Sequence, residues 1–209
     1  MIVVHHLEES RSQRVLWLLE ELGLAYEVKR YARDPQTRFA PPELREIHAL
    51  GKSPLVEKDG RVLAESGAII EYLAESESGG ALSIPPGEAS RADYLYWLHF
   101  AEGSAMLPLL LKLYIGFVGE AGAPLMQARV EPEIEKYLGF ADRALNGGDY
   151  FAGGRFTAAD IQMSFVMDVA KSRAGLERFP NLMRTRVALQ QRPAYQRALQ
   201  KGGPYKFGA

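Results

Sequence analysis

The segment from Gly51 to Ile69 restricts the possible folds of this chain more than any other stretch does. A short apolar run begins at Pro54, turns at Asp59-Gly60 and resumes over residues 62–64. An Asp-Gly pair between two apolar runs is a strong signal for a β-hairpin. Ser66 follows the second run and is a favourable residue for opening a helix. The segment therefore predicts a hairpin with a proline at one end and a helix start at the other.

The same segment predicts a place where a small peptide can bind. The backbone beside Pro54 offers groups that can pair with an extended peptide in the manner of an added strand. The helix start at Ser66 offers N–H groups and a hydroxyl to a carboxylate, because helix N-termini attract anions. Glu65 stands directly before that helix start.

Composition narrows the classes of protein to which the chain can belong. Its 209 residues suffice for two ordinary domains, and a hydrophobic share of 47% allows a sizeable core. The net charge of −1, with both signs mixed along the chain, argues against nucleic acid or an anionic membrane as the main partner. No apolar run reaches the length that spans a bilayer, so we expect a soluble cytoplasmic protein.

Cysteine is absent, which excludes disulfides, cysteine zinc sites and a cysteine nucleophile of the protein's own. Any thiol chemistry must therefore use a sulfur that arrives with a ligand. His5 and His6 are adjacent on a predicted strand and point to opposite faces, while His48 and His99 are isolated. We therefore expect no metal site.

The order of elements predicts two domains of different class. A strand over residues 2–7, a helix over residues 15–22 and a strand near residues 26–28 form a β-α-β unit, which the hairpin and helix described above extend. A stretch rich in Ser, Gly and Pro follows. The predicted domains are thus residues 1–76, α/β, and residues 88–209, all-helical, joined by a linker over residues 77–87. In the second domain, Thr157 and Asp160 have the spacing of a helix capping box.

Four segments together carry a resemblance to a known family. They are Ser10-Arg-Ser-Gln-Arg-Val-Leu-Trp17 with Glu20-Glu-Leu-Gly-Leu24, Leu50-Gly-Lys-Ser-Pro-Leu55, Glu65-Ser-Gly-Ala-Ile69 and Gly154-Arg-Phe-Thr-Ala-Ala-Asp-Ile161. In this order and at these separations the pattern resembles cytosolic glutathione transferases, and the Ser-Arg-Ser start looks most like bacterial and fungal members. The resemblance implies a thioredoxin-like N-terminal domain, an all-α C-terminal domain with a hydrophobic substrate site, a homodimer, a role in detoxification and glutathione as the substrate.

Catalysis on glutathione needs a group that stabilises its thiolate, and the resemblance places that group in the loop before the first helix. Residues 1–25 contain no tyrosine or cysteine, so a serine is the available type. Ser10 is the first choice for the hydroxyl donor. Ser12 and the backbone amide of Arg11 remain alternatives, and Ser10 could instead be a plain helix cap.

The resemblance also implies roles for the residues that hold the rest of glutathione. Pro54 is expected to be cis, so that the backbone of Ser53 pairs with the cysteinyl amide of the tripeptide. Ser66 would bind the γ-glutamyl carboxylate and Glu65 its amine. Lys52 would pair with the glycyl carboxylate, and Arg11 could also meet a carboxylate.

The second substrate is expected to be a small hydrophobic electrophile bound beside the helical domain. The candidate pocket residues are Tyr96, His99, Phe100 and Met106, although aromatic residues at helical spacing are often plain core. We expect a glutathione transferase. A glutathione-dependent peroxidase or disulfide reductase on the same site, and a non-catalytic ligand-binding protein of this fold, remain alternatives.

Overall fold

An inner strand of the sheet is β1 (Ile2–Leu7), whose six residues are all buried. A computed structural model of the chain describes residues 1–118 and 123–208. In it, β1 pairs in parallel with β2 (Tyr26–Tyr31) and antiparallel with β3 (Leu55–Lys58), which pairs antiparallel with β4 (Arg61–Ala64). The strand order is β2-β1-β3-β4. The predicted β-α-β and β-β-α order of the thioredoxin-like domain is thus confirmed.

Three helices belong to this sheet in sequence. They are α1 (Ser12–Glu21), α2 (Leu44–Ile47) and α3 (Ser66–Ser76). The crossover helix α1 is buried along nearly its whole length. It is buried on more than one side because it contacts β1, α3 and the last helix of the chain, α9 (Pro193–Gly202).

The structure divides the chain into two compact units. The first comprises Met1–Pro85 together with the residues from Gln190 onward, and the second comprises Pro86–Leu189. The sequence had assigned everything after residue 87 to the helical domain, so the two divisions differ in the C-terminal segment. The reason is α9, which packs on α1 through Trp17 and Tyr195, whose rings lie edge to face at 5.1 Å.

Two acidic residues at the end of α1 anchor the C-terminal segment to the first unit. Glu21 receives both Nε and Nη2 of Arg192, at 2.6 and 2.9 Å. Glu20 is 9% exposed and contacts Arg197 at 2.7 Å and Lys201 at 2.5 Å. Burial opposes the charge on Glu20, but the hydrogen bonds from its cationic neighbours outweigh burial and lower its pKa.

The second unit is helical throughout its described part. Its helices are α4 (Arg91–Phe100), α5 (Met106–Val118), α6 (Ala123–Leu145), α7 (Ala158–Arg173) and α8 (Pro180–Gln190), and a π-helical turn (Ala101–Ala105) links α4 to α5. The predicted capping box is present, since Thr157 accepts from the α7 amides and the Asp160 side chain accepts from the Thr157 N–H at 2.8 Å. Burial raises the pKa of Asp160 to about 7, against the opposing effect of these hydrogen bonds.

The helical run Arg91–Phe117 is long and apolar enough to cross a membrane by length and composition. The sequence had predicted no such run, since Lys112 and Gly116 interrupt its most apolar part. Part of the run is buried inside the structure, and the core helix of a globular unit passes the same test. The run therefore does not by itself indicate a membrane protein.

The anchoring of α9 can be tested at Glu20. Glu20→Gln keeps the shape of the side chain but removes the charge that Arg197 and Lys201 share, so we expect the free energy of unfolding to fall by about 2 kcal/mol. Urea denaturation measures the change. The matched control is Glu135→Gln, because Glu135 forms an exposed pair with Arg178 at 2.6 Å. This substitution should change the free energy of unfolding by no more than about 0.5 kcal/mol. Equal effects of the two variants would contradict the anchoring role.

Candidate functional site

The sheet register brings three parts of the chain to one end of the first unit. His5 near the end of β1 lies opposite Leu55 at the start of β3, and Leu55 lies opposite Ala64 at the end of β4. The segments that leave these strand ends therefore start beside one another. They are the Ser10-Arg11-Ser12 loop, the Lys52-Ser53-Pro54 segment and the Glu65-Ser66 helix start.

Ser53 and Pro54 lie directly beside the end of β1. The Ser53–Pro54 peptide bond is cis, as predicted. The Ser53 hydroxyl donates to the His5 carbonyl at 3.0 Å and accepts from the Leu7 N–H at 3.3 Å. These two bonds hold the segment before β3 against the last residues of β1, after which the chain continues to Ser10.

The start of α3 has the features of an anion-binding helix terminus. Glu65 precedes the helix with φ +69°, a left-handed conformation that is costly for a residue other than glycine. Its carbonyl accepts the Ile69 N–H at 2.9 Å, so the N–H groups of the residues before Ile69 lie at the open end of the helix. Ser66 is 4% exposed, while the Glu65 side chain is exposed. The helix begins at Ser66, directly after Glu65, as the sequence predicted.

Ser10 and Ser12 differ in their surroundings. Ser10 ends the loop before α1 and is 6% exposed, whereas Ser12 is the first residue of α1 and is fully buried. The two hydroxyl oxygens lie 2.7 Å apart, and Ser10 Oγ accepts from the Ser12 N–H at 3.2 Å. Ser12 Oγ lies 2.8 Å from His6 Nδ1 and 3.2 Å from the Leu7 carbonyl. Ser12 thus has its contacts inside the unit, and Ser10 is the outer hydroxyl of a chain that begins at His6.

A neutral histidine stands at the inner end of this chain of hydrogen bonds. Burial, with a smaller effect of Arg30, lowers the pKa of His6 to about 4, against a hydrogen bond to the Gly202 backbone, so the ring is neutral at pH 7. Nδ1 of the ring lies 2.8 Å from Ser12 Oγ, and the tautomer of the ring decides which of the two donates. Either serine hydroxyl can donate in the contact between Ser12 and Ser10. Ser10 Oγ is the outermost oxygen of the chain.

Lys52 and Arg11 supply positive charge around this end of the unit. Lys52 is exposed and lines an open hollow of about 440 Å³ together with residues of the 39–51 segment, among them Phe39, Arg45 and Leu50. Arg11 is half-buried and directly precedes α1. Lys52 directly precedes Ser53, and Arg11 directly follows Ser10. Both positions therefore suit a carboxylate of a bound peptide.

The four predicted pocket residues for a second substrate all lie in the second unit. Tyr96 and His99 are exposed on α4, while Phe100 is 7% exposed and Met106 is 1% exposed. The Tyr96 ring stacks on Phe100 at 5.5 Å, and Phe100 also contacts Trp97 and Phe140. Phe100 and Met106 therefore contribute to the core of this unit. The binding role of the four stays a prediction.

Sequence reasoning missed His6, Glu9 and Arg33 at this end of the first unit. His6 read as an ordinary strand residue, and its contact with Gly202 joins residues nearly two hundred positions apart. Glu9 has φ +49°, and Arg33 donates to backbone carbonyls on both sides of it. No short-range pattern signals such contacts. Within residues 1–118 and 123–208, no group of three or more His, Asp or Glu side chains could hold a metal ion.

Family models match both parts of the chain. A model described as "Glutathione S-transferase, N-terminal domain" matches residues 1–75, and one described as "Glutathione S-transferase, C-terminal domain" matches residues 119–202. Among curated proteins, Glutathione S-transferase 3 of Schizosaccharomyces pombe is 34% identical over 218 residues, which cover 96% of this chain and 88% of that protein. Glutathione S-transferase 1 of Saccharomyces cerevisiae is 32% identical over 224 residues, covering 96% and 95%.

Solved structures agree with these matches. A glutathione S-transferase from Actinobacillus pleuropneumoniae superposes with a TM-score of 0.89 at 31% identity, covering 99% of this chain and 95% of that one. A glutathione transferase from Phanerochaete chrysosporium, solved with oxidized glutathione, has a TM-score of 0.81 at 21% identity over 96% of this chain and 94% of that one, which supports the fold alone.

The neutral state of His6 predicts a pH dependence of stability. The unfolded chain binds a proton at His6 below about pH 6.5, whereas the folded chain does so only near pH 4, so the unfolded state holds more protons between these values. The free energy of unfolding should therefore fall as the pH drops through this window, by up to about 3 kcal/mol. Urea denaturation at several pH values measures it. His6→Asn keeps a hydrogen-bonding group beside Ser12 but does not titrate, and an unchanged pH slope in that variant would contradict the assignment.

Proposed function

The chain belongs to the glutathione S-transferase family, and on that premise we propose that it conjugates the thiolate of glutathione to small hydrophobic electrophiles. The observation that supports this best is the meeting of three segments at one end of the sheet. A buried hydroxyl at the start of α1, the backbone beside Pro54 and the helix start at Ser66 adjoin there. Each suits a different part of one bound tripeptide.

We propose that glutathione lies across this end of the first unit in an extended form. The start of α3 would hold the γ-glutamyl group, with Ser66 and the N–H groups of the helix start on its carboxylate and Glu65 on its amine. The backbone of Ser53 would pair with the cysteinyl amide. Lys52 would bind the glycyl carboxylate, and Arg11 is a second cation within this region.

Ser10 is the proposed donor to the sulfur. A free thiol has a pKa of about 8.5, so lowering it by about two units needs roughly 2.7 kcal/mol of added stabilisation of the thiolate. The Ser10 oxygen lies 2.7 Å from the neutral Ser12 oxygen. Turning the Ser10 proton to an anionic sulfur instead exchanges a hydrogen bond of about 1 kcal/mol for one of about 1.5–3 kcal/mol. The start of α1 adds about 0.3–1 kcal/mol, so the two effects together approach the required stabilisation.

Ser12 is less suited to this role than Ser10. Its hydroxyl is fully buried and already contacts His6 Nδ1 at 2.8 Å and the Leu7 carbonyl at 3.2 Å. A sulfur would have to displace core contacts to reach it. We therefore assign Ser10 as the catalytic hydroxyl and Ser12 as the residue that holds the Ser10 oxygen in place.

The electrophile, the assembly and the location are proposed on the basis of the family. Tyr96 and His99 are the accessible members of the predicted pocket set, and Phe100 and Met106 support them from the core. We propose a cytoplasmic homodimer that acts in detoxification. Analytical ultracentrifugation of the purified protein tests the dimer, and a single species of about 23 kDa would contradict it.

The same thiolate could also reduce a hydroperoxide or a disulfide, because the stabilised sulfur is the nucleophile in each reaction. Parallel assays with a chlorinated aromatic and an organic hydroperoxide separate conjugation from reduction. Conjugation should be the faster reaction. Glutathione retention without turnover of either substrate would instead indicate a non-catalytic ligand-binding protein, and no heat on mixing with millimolar glutathione in calorimetry would remove the proposal altogether.

The role of Ser10 predicts a shift in the ionisation of bound glutathione. Ser10→Ala removes the hydroxyl that faces the sulfur, so the pKa of the bound thiol should rise by about one unit, and kcat/KM at pH 6.5 should fall about tenfold. Ultraviolet absorbance of the thiolate across a pH series measures the pKa directly. If the titration does not move, the donor is another group in the loop before α1.

Ser66 is expected to affect binding of glutathione rather than its ionisation. Ser66→Ala should raise the half-saturating concentration of glutathione about tenfold, because a hydrogen bond to a charged carboxylate is lost. The thiol pKa should stay where it is. Steady-state kinetics with varied glutathione measure the first value, and circular dichroism checks that the helical content is unchanged. An unaltered half-saturating concentration would remove Ser66 from the γ-glutamyl site.

A further inference from the structure

One residue just beyond the neighbouring strand β2 holds the backbone directly before Ser10. Arg33 lies two residues beyond β2, and its Nε donates to the Glu8 carbonyl at 3.0 Å while Nη2 donates to the Glu9 carbonyl at 3.2 Å. The Arg33 backbone N–H donates to Glu8 Oε1 at 2.9 Å. The two carbonyls belong to the last two peptide units before Ser10. Three bonds from one residue therefore fix the approach to the proposed catalytic hydroxyl.

The loop has a backbone conformation that needs such support. Glu9 has φ +49°, in the left-handed region, which is unfavourable for a residue other than glycine. Strained residues persist only where their surroundings hold them, and they occur preferentially at functional sites. Without the bonds from Arg33, the peptide between Glu9 and Ser10 could relax to a more favourable conformation and turn the Ser10 side chain.

Arg33 is itself held in place on its other side. Its Nη1 donates to the Arg38 carbonyl at 3.0 Å, which links it to the turn over residues 34–39. Asp34 Oδ1 closes that turn by accepting the Gln36 and Thr37 N–H groups at 3.1 and 2.6 Å. The guanidinium thus joins two backbone segments through three different nitrogens. A lysine could not do so, because its ammonium is a single point with a flexible stem.

We infer that Arg33 is a positioning residue for thiolate formation, which fixes the Glu9–Ser10 peptide so that the Ser10 hydroxyl faces the sulfur of bound glutathione. The inference rests on the proposed role of Ser10. Arg33 acts through backbone geometry, and its positive charge is a separate contribution that a charge-preserving variant retains. Geometry and charge can therefore be distinguished by experiment.

The test measures the pKa of the bound glutathione thiol in a set of variants. Arg33→Ala and Arg33→Lys should both raise this pKa by about half a unit to one unit, and kcat should fall about three- to tenfold while the half-saturating glutathione concentration changes less than twofold. In a double-mutant cycle, Arg33→Ala should add no further shift to Ser10→Ala, because Arg33 acts through that hydroxyl.

The matched control is Arg38→Ala. The Arg38 side chain reaches Glu9 Oε2 at 2.6 Å and Glu8 Oε1 at 3.5 Å but is 45% exposed, and the variant keeps the backbone carbonyl that Arg33 contacts. Losing these two surface pairs should leave the thiol pKa unchanged. A full rescue by Arg33→Lys would overturn the geometric role in favour of charge. The inference is overturned if Arg33→Ala shifts the thiol pKa equally in the presence and absence of the Ser10 hydroxyl, or if it does not shift the thiol pKa at all.

The same set separates this inference from the assignment of Ser10. A thiol pKa that moves in Ser10→Ala but in neither Arg33 variant overturns only the positioning role. A pKa that stays unchanged in Ser10→Ala overturns the donor assignment and the inference with it. Thermal unfolding of each variant shows whether the protein remains folded at the assay temperature, and Arg33→Lys provides the measurement if Arg33→Ala does not.

Discussion

The pairing of β1 with a parallel strand on one side and an antiparallel strand on the other determines where chemistry can occur in this protein. Parallel pairing puts the ends of β1 and β2 together, and antiparallel pairing puts the start of β3 at the same place. Ser10, Arg33 and Ser53 leave or enter the sheet there. A sheet with only one kind of pairing would have sent one of these segments to the opposite end, and no single ligand could contact all three.

The C-terminal segment completes the first unit rather than extending the second. The inner face of α1 is satisfied by the sheet, but its outer face carries Trp17, Glu20 and Glu21, which would otherwise meet water. The helix α9 covers them with Tyr195 and with arginine and lysine side chains. Its end at Gly202 also supplies a backbone hydrogen bond to His6. A Cβ atom at Gly202 would lie 2.7 Å from Gln13 Oε1, so any other residue there would displace the Gln13 side chain.

The features that could be predicted from the sequence are those with a local physical cause. Asp59-Gly60 predicted the hairpin through its turn chemistry, and the spacing of Thr157 and Asp160 predicted the start of α7. The position of Ser66 at the start of α3 followed from the family resemblance, whereas capping preference did not hold, because Arg11 and Glu65 occupy the N-cap positions of α1 and α3. The docking of α9 and the contacts of Arg33 could not be predicted, because they depend on which distant segments meet after folding. Charged residues on a helix such as α1 do not indicate in the sequence which distant segment they will contact.

The buried chain behind Ser10 also limits how the thiol can lose its proton. His6 looks like a base connected to the site through Ser12 and Ser10, but its pKa of about 4 is far below that of a free thiol. Moving a proton from a thiol of pKa about 8.5 to such a ring would cost roughly 6 kcal/mol. An anionic sulfur some distance away recovers only part of this cost. In the proposed mechanism the proton therefore does not pass to His6, and the protein's contribution is to stabilise the anion that remains. A neutral His6 serves that purpose, because it holds Ser12 and thereby the Ser10 oxygen without competing for the charge.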